Sequence, residues 1–327
     1  MRTLDKGPRA RGAGAPPLAR GRRAAAVVVT AGAVLAVPAV ATPAQAAPSG
    51  PPAPSVSAKG AFLLNQADGS RIYGKYADTK RQMASTTKIM TVRVVLSQTN
   101  LDLDRKVTVQ QAYRDYVARE GASTADLRTG DKVTVRQLLY ATMLPSGCDA
   151  AYALADTFGS GTTRSARVKS FIGKMNKKAD TLGMTNTEFD SFDGISTTGN
   201  NYTTPRDLAK LARSAMKYST FRTVAKTQKT VRYAKTSTGG TRTYTWYNTN
   251  RLLGSYSGAV GIKTGTGTAA GPCLVFAATR GGKTLVGVVL NGSSRYTDAA
   301  KLLDYGFGSD KASRMTLRRL PSGAEQD

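Results

Sequence analysis

Residues 257–292 read SGAVGIKTGTGTAAGPCLVFAATRGGKTLVGVVLNG and give the clearest indication of the fold. It contains three apolar runs with strand character, and Gly281-Gly282 predicts a hairpin between the second and the third. An earlier segment at 60–78, GAFLLNQADGSRIYGKYAD, predicts two more strands that turn at its Asp-Gly pair. Together these runs predict one antiparallel sheet of about five strands, an ordinary size for a sheet.

Helical patterns fill most of the chain between these two sets of strands. Ser85 starts the first, Thr134 is a suitable cap for VRQLLYATML, and Thr204 precedes the proline of PRDLAKLARSAM. Short extended pieces such as KVTV interrupt the pattern, and the strand-like run TYTWYN follows it. Strands that bracket a helical middle indicate an α+β fold, with the closing helix TDAAKLLDYGFG on one face of the sheet and an inserted all-α lobe.

The first 46 residues have the three parts of a secretory signal peptide. A basic stretch precedes an uncharged run at 24–41, and the tripeptide AQA then fits the small-x-small cleavage rule. An uncleaved membrane anchor is the alternative because the run approaches spanning length, but its many alanines and its proline favour cleavage. The residues around Arg22-Arg23 match a twin-arginine signal poorly, so the export route stays open.

The rest of the chain divides into a linker, one large domain and a tail. Residues 47–59 are rich in proline, serine and alanine and predict an extended linker. Residues 60–308 carry the predicted strands and helices and form the functional domain. Residues 309–327 form a polar, basic tail that we expect to be disordered.

The chain is strongly basic, with a net charge of +26. Without residues 1–46, which hold seven basic residues and one acidic residue, the net charge is +20. Basic proteins often bind nucleic acid, but an exported protein does not meet it, so we expect anionic wall polymers or membrane surfaces instead. The basic residues are scattered rather than gathered into blocks, which is also typical of a solvated surface.

Histidine is absent from the chain, and this excludes several kinds of catalytic site. A Ser-His-Asp triad, a papain-like Cys-His pair and a His-ligated zinc site all need imidazole. We expect no metal, no cofactor, and a base other than imidazole for any covalent catalysis. The two cysteines, Cys148 and Cys273, allow one disulfide after export, although a single bridge specifies little in a domain of this size.

A serine and a lysine three residues apart, Ser85-Thr-Thr-Lys88, are candidates for covalent catalysis. On a helix such residues share a face, with Cβ atoms about 5–6 Å apart, so the hydroxyl reaches the amine. Lysine becomes a base for serine where burial or a nearby cation lowers its pKa from about 10.4. The same spacing at Ser214 and Lys217 lies mid-helix without a cap and has no such context.

Two further motifs follow in the chain. The tetrapeptide KTGT at 263–266 lies on an apolar strand whose small residues let a substrate peptide approach. Its lysine would hold a carboxylate and lower the pKa of Lys88, whereas a solvated strand end is the plainer interpretation. LPSGCDAAYALAD, at 144–156, places Ser146 and Cys148 at the mouth of a helix, where a cysteine is ordinarily a small buried hydrophobe.

The three motifs in this order resemble those of the serine D-alanyl-D-alanine peptidases, the low-molecular-weight penicillin-binding proteins. The resemblance covers about residues 60–308 and includes ASTTKIMT, VTVRQLLYATMLPSGCDAAYALAD, FDSFDG, TPRDLAKLA and CLVFAATRGGKT. It is most specific for exported actinomycete DD-transpeptidases that carry Ser-Gly-Cys as the second motif. It implies a penicillin-binding, β-lactamase-like fold with the catalytic domain at 60–308.

The resemblance also implies catalytic roles. Ser85 would attack the D-Ala-D-Ala peptide bond, Lys88 would be its base, and Ser146 would bridge the two motif lysines and protonate the leaving amine. The backbone N–H groups of Ser85 and Thr266 would form the oxyanion hole. Water or an amine from a neighbouring stem peptide would then release the acyl-enzyme, and penicillin would acylate the same serine.

The remaining motif residues would bind substrate. Lys263, Thr264, Gly265 and Thr266 would hold the terminal carboxylate along the strand. Cys148 stands where the family usually has asparagine, and a thiol offers one weak donor and one weak acceptor instead of the good donors and acceptor of an amide. We expect this change to weaken hydrolysis and to favour transfer to an amine.

Three other functions are alternatives. A class A β-lactamase needs glutamate in E-x-x-x-N, and none of Glu120, Glu188 and Glu325 has asparagine four residues on. A non-hydrolytic penicillin- or wall-binding module would result if Cys148 disabled turnover, and release of D-alanine distinguishes an enzyme from it. A nucleic-acid binder would need failed export and a clustered basic patch.

We therefore expect a secreted, monomeric serine DD-peptidase in the cell wall or at the outer face of the membrane. Its partners would be peptidoglycan stem peptides, with β-lactam antibiotics as covalent inhibitors and no nucleic acid. Many relatives carry a further β domain and an amphipathic C-terminal anchor, which this sequence lacks, so membrane attachment stays open.

Overall fold

A five-stranded antiparallel sheet forms the centre of residues 52–324, the part of the chain that the computed structural model describes. Its strands, in spatial order, are β2 (Arg71–Lys75), β1 (Gly60–Asn65), β11 (Lys283–Leu290), β10 (Cys273–Arg280) and β9 (Ala259–Gly265). The first hairpin joins the last three strands because β1 pairs with β11, from Gly60 opposite Leu290 to Asn65 opposite Leu285. The predicted α+β class and five-stranded sheet are confirmed.

Both faces of this sheet are covered, which explains why its central strands are apolar at nearly every position. Alternate side chains of a strand point to opposite faces. Leu63 belongs to the apolar cluster that includes Leu302 of α8 (Arg295–Phe307), whereas Phe62 belongs to the cluster that includes Ile89 of α1 (Lys88–Val95). The predicted closing helix therefore packs on one face, and the helical lobe packs on the other.

The lobe contains six further helices among the described residues. They are α2 (Gln111–Glu120), α3 (Val135–Met143), α4 (Cys148–Phe158), α5 (Arg164–Thr181), α6 (Pro205–Ala215) and α7 (Ser219–Lys226). Two predicted helix starts are confirmed. Thr134 forms a capping box with Gln137 at α3, and the Thr204 hydroxyl accepts a hydrogen bond from the backbone N–H of Asp207 at α6.

The lobe is not all-α, which corrects the sequence prediction. It contains a four-stranded sheet of β4 (Lys106–Thr108), β5 (Lys132–Thr134), β7 (Lys229–Lys235) and β8 (Thr241–Tyr247), in that order. A two-stranded pair, β3 (Arg81–Gln82) and β6 (Tyr202–Thr203), lies apart from it. The short KVT pieces become strands because they pair with each other and with the distant β7–β8 hairpin, which local periodicity does not reveal.

The ends of the described chain pack against the domain. Ser57 and Ala58 of the predicted linker donate backbone hydrogen bonds to Asp298 of α8. In the tail, Arg318 Nη2 donates to Asn248 O at 2.7 Å. Backbone carbonyls of a distant loop supply this partner, and the composition of the tail does not reveal it. The disorder expected of residues 309–327 stays a prediction.

The described residues contain no helix that is both long and apolar enough to cross a membrane. The predicted signal peptide at 1–46 and the first part of the linker lie outside residues 52–324.

Candidate active site

Ser85 and Lys88 lie where a short 3-10 turn, Ala84–Thr87, meets α1. Lys88 Nζ is 2.9 Å from Ser85 Oγ and 3.1 Å from the carbonyl oxygen of Asp193. Lys88 is 0% exposed. A buried amine within hydrogen-bond distance of a serine hydroxyl is in the position that a general base needs. The two residues that the sequence analysis paired are therefore in contact.

Two glycines let other segments approach this turn. A Cβ on Gly265 of β9 would lie 3.0 Å from the backbone nitrogen of Thr86 and 3.1 Å from that of Ser85. A Cβ on Gly194, which has a φ of +101°, would overlap the carbonyl oxygen of Ala84. The K-T-G strand and the loop at residues 192–194 (the FDG loop) can therefore pack on the backbone of the turn Ala84–Thr87 only because glycine has no side chain.

The K-T-G strand β9 is an edge strand of the five-stranded sheet. Lys263 is 1% exposed, and its Nζ donates to Thr264 O at 3.0 Å. Thr264 Oγ1 lies 2.6 Å from Thr249 Oγ1 and 3.4 Å from Lys263 Nζ. A lysine amine beside hydroxyl groups on a strand at the end of the sheet suits the carboxylate of an extended peptide.

Arg295, the first residue of α8, is a site residue that the sequence analysis missed. Its Nη1 donates to Thr266 Oγ1 at 2.9 Å, to Gly265 O at 3.0 Å and to Cys273 O at 3.3 Å. The guanidinium therefore adds a second positive charge beside the K-T-G segment. No local motif contains this arginine, since only the packing of α8 against β10 and β11 brings it there.

Ser146 lies in the loop before α4 with a φ of +64°, a left-handed conformation that is strained for a residue with a side chain. Ser123 Oγ donates to Ser146 O at 2.7 Å and holds the loop. Ser146 is 0% exposed, and its Oγ has no hydrogen-bond partner among the described groups. A strained, buried hydroxyl with unused hydrogen-bonding capacity is typical of a functional group that meets a ligand.

Cys148 begins α4 and is 1% exposed, with Sγ 3.6 Å from Ser123 Oγ. Burial raises the pKa of its thiol to about 12, although the positive charge of Lys88 acts in the opposite direction. The thiol lies close enough to sense Lys88 and is neutral at physiological pH, so it lacks the thiolate that a nucleophile needs. Cys148 and Cys273 are both free thiols, and the disulfide that the sequence allowed is not formed.

A buried carboxylate holds the loop that contacts Lys88. Asp193 is 0% exposed, and it accepts hydrogen bonds from Tyr116 OH at 2.8 Å and from the backbone N–H of Ile195 at 3.0 Å. Burial, together with the neighbouring Asp193 carboxylate, holds the pKa of Tyr116 far above its usual range, so the phenol stays a donor. Asp193 lies in the motif FDSFDG, whose sequence does not reveal this role.

Two other features bear on where the chemistry lies. No group of His, Cys, Asp and Glu side chains within residues 52–324 could hold a metal ion. A cavity of about 950 Å³ lies beside Pro54, Tyr305 and Ala312 and contains none of the motif residues. The candidate active site is therefore identified by the contacts among its side chains and not by the volume of a cavity.

Comparisons with known proteins agree with this geometry. Residues 45–294 match the protein family described as D-alanyl-D-alanine carboxypeptidase. The chain is 59% identical over 291 residues to the D-alanyl-D-alanine carboxypeptidase of Streptomyces sp. strain K15, an alignment that covers 88% of this chain and 98% of that relative. It is 32% identical over 256 residues to DacF of Bacillus subtilis, which covers 76% of this chain and 62% of DacF.

A solved structure gives the same result. The crystal structure of the Streptomyces K15 DD-transpeptidase superposes with a TM-score of 0.77 at 61% identity, covering 79% of this chain and 99% of that one. The fold and the serine–lysine pair define a serine-type peptidase that uses no histidine. More specifically, the chain belongs to the D-alanyl-D-alanine carboxypeptidase family, so the resemblance inferred from the sequence is confirmed.

Proposed function

We propose that this protein cleaves the D-Ala-D-Ala end of peptidoglycan stem peptides and transfers the acyl group to water or to an amine. The observation that carries the proposal is the 2.9 Å separation between Ser85 Oγ and the buried Lys88 Nζ, beside the K-T-G strand. The relative from Streptomyces K15 bears both names, carboxypeptidase and DD-transpeptidase, which supports both fates of the acyl group.

In the acylation step, Lys88 takes the proton of Ser85 while Ser85 Oγ attacks the carbonyl carbon of the penultimate D-alanine. The backbone N–H groups of Ser85 and Thr266 stabilise the negative oxygen of the tetrahedral intermediate. Ser146 passes a proton to the departing amine, and free D-alanine leaves. Its buried Oγ without a hydrogen-bond partner supports this role.

The terminal carboxylate binds along the outer edge of β9. Lys263 and Arg295 supply positive charge, and the hydroxyl groups of Thr264 and Thr266 supply donors. Binding at this end of the substrate fixes the scissile bond over Ser85, because Gly265 lies against the backbone of the Ser85 turn.

Release of the acyl group depends on how the site orients the attacking molecule. Cys148 occupies a position beside Lys88, and its neutral thiol is a weak donor and a weak acceptor. Water needs such groups for its orientation, whereas an amine acceptor is also held by its own peptide chain. Cys148 therefore disfavours hydrolysis and leaves transfer as the favoured outcome.

The test is the intact mass of the protein after incubation with benzylpenicillin, followed by peptide mapping. A single penicilloyl adduct on the peptide that contains Ser85 is the expected result. Ser85→Ala should form no adduct, whereas Ser214→Ala is a matched control at the second Ser-x-x-Lys and should be labelled normally. A folded protein without an adduct, or with one on another residue, contradicts the proposal.

The proposed site of action is outside the cytoplasm, in the cell wall or at the outer face of the membrane. The basic, apolar and small-residue parts of residues 1–46 support export. N-terminal sequencing of the mature protein tests this, because cleavage after Ala46 is expected.

A further inference from the structure

The four-stranded sheet β4-β5-β7-β8 has an outer face of distinctive composition. Val107, Val133 and Trp246 are buried and mark its inner face, and side chains alternate between the two faces along each strand. Register then places four lysines, five threonines, two tyrosines and one valine on the outer face. The lysines come from three strands and are Lys106, Lys132, Lys229 and Lys235.

Within residues 52–324, the four strands place no carboxylate side chain on this face. The sequence contains no aspartate or glutamate between Asp207 and Asp298, so β7 and β8 contribute none. The buried Asp131, which precedes β5, faces inward and binds Arg242 at 2.7 Å. The positive charge of the outer face is therefore not neutralised by the strands that form it.

Two of the lysines lie directly opposite each other. Lys132 of β5 pairs in register with Lys235 of β7, and both are exposed. Like charges at directly opposed positions destabilise a sheet. The fold gains nothing from this arrangement, whereas an anion that binds between the two amines would remove the repulsion.

The exposed aromatic and hydroxyl groups of this face indicate what the partner carries besides negative charge. Tyr233 is 64% exposed and Val231 is 40% exposed, in the middle of β7. Lys229 and Lys235 stand at the ends of that strand, about 20 Å apart at about 3.3 Å per residue. A small anion reaches one end only, whereas a linear polymer with repeated charges spans both ends and crosses the tyrosine and the threonine hydroxyls of β8.

We propose that this face binds a phosphodiester-linked glycopolymer of the cell wall. Lysine binds phosphate as a compact point charge, tyrosine rings pack against sugars or polyols, and threonine hydroxyls bond to theirs. A bilayer fits less well, because Val231 is the one aliphatic side chain on the face and membrane binding scales with the apolar area that is buried. The face would hold the enzyme on the wall near its substrate.

The experiment measures binding of the protein to purified glycerol-phosphate polymer by fluorescence anisotropy over a range of salt concentrations. Lys132→Gln combined with Lys235→Gln should weaken binding about tenfold and reduce its dependence on salt. The matched control is Lys169→Gln combined with Lys177→Gln, which removes the same charge from exposed positions on α5 and should bind like wild type. Labelling by benzylpenicillin establishes that both variants are folded.

Three results would overturn the proposal. The first is the absence of polymer binding by the wild type at low salt. The second is equal weakening in the two double variants, which would mean that net charge alone drives binding. The third is binding to phosphatidylglycerol vesicles without binding to the polymer, which would assign the face to a membrane.

Discussion

The spacing Ser-x-x-Lys occurs at two places in this molecule, and the two places share little else. Ser85 precedes α1, and the amine of the buried Lys88 lies 2.9 Å from its hydroxyl. Ser214 lies at the end of α6, where its hydroxyl accepts a hydrogen bond from Arg93 Nε at 2.9 Å. Lys217 is exposed. One pair is placed for catalysis, and the other is an ordinary part of the helical lobe.

Burial and neighbouring groups, and not the spacing alone, make one Ser-x-x-Lys pair suitable for catalysis. The FDG loop and β9 come from distant parts of the chain. The buried Lys88 amine donates to the carbonyl oxygen of Asp193 and contacts Ser85 Oγ, and β9 packs on the backbone of the Ser85 turn. Lys217 has no such cover, and a guanidinium already uses the hydroxyl of Ser214. A lysine acts as a base for serine only where its amine reaches the serine hydroxyl.

Replacing each serine by alanine should give opposite results. Ser85→Ala should lower D-alanine release from a D-Ala-D-Ala peptide at least about 10³-fold without loss of stability, because only the nucleophile is removed. Ser214→Ala should keep its activity but lose about 1–2 kcal/mol of unfolding free energy, because buried Arg93 loses a partner. Urea unfolding measures stability and D-alanine release measures activity. A folded but inactive Ser214→Ala would contradict the assignment of catalysis to Ser85 alone.

The two lysines extend the same test to the base. Lys88→Met should reduce the rate of acylation by benzylpenicillin about 10²- to 10⁴-fold, the usual contribution of a general base. Lys217→Met should acylate at the wild-type rate, since Lys217 is exposed. Acylation rates measured by stopped flow or by mass spectrometry test both expectations. Equal rates for Lys88→Met and wild type would show that another group takes the serine proton.

The contact between β9 and the nucleophile turn is the next feature to perturb. Gly265→Ala should slow acylation by up to about 10²-fold, because its Cβ would push against the backbone nitrogens of Ser85 and Thr86. Gly173→Ala in α5 is the control, since a Cβ there meets nothing within 4 Å and alanine favours a helix by about 1 kcal/mol. Full activity in Gly265→Ala would mean that the turn tolerates a shift of the strand.

Local chemistry made the main sheet, two helix starts and the contacting pair Ser85 and Lys88 predictable. Hairpin glycines, caps and the spacing of one helical turn all act over a few residues. The four-stranded sheet and the hydrogen bond from the tail were not predicted, because their partners lie far along the chain. Arg295 and Asp193 reach the site through the packing of α8 and the FDG loop. No short motif contains Arg295, and the motif FDSFDG does not reveal which group Asp193 contacts.

The smallest expected effect concerns Cys148, which lies beside the reactive pair and has no counterpart at Ser214. Cys148→Asn should lower the ratio of amine transfer to hydrolysis by a few-fold, because an amide orients water better than a thiol does. Cys148→Ala removes the thiol without adding an amide, so it should leave the ratio of transfer to hydrolysis near that of wild type. Product analysis with a D-Ala-D-Ala peptide and an added amine measures the ratio, and equal ratios in all three proteins would remove Cys148 from the explanation.

Burial raises the pKa of the thiol to about 12, so its ionisation adds no pH dependence to the wild-type ratio near neutrality. A ratio that changes with a thiol titration near pH 7 would therefore contradict the environment described for Cys148.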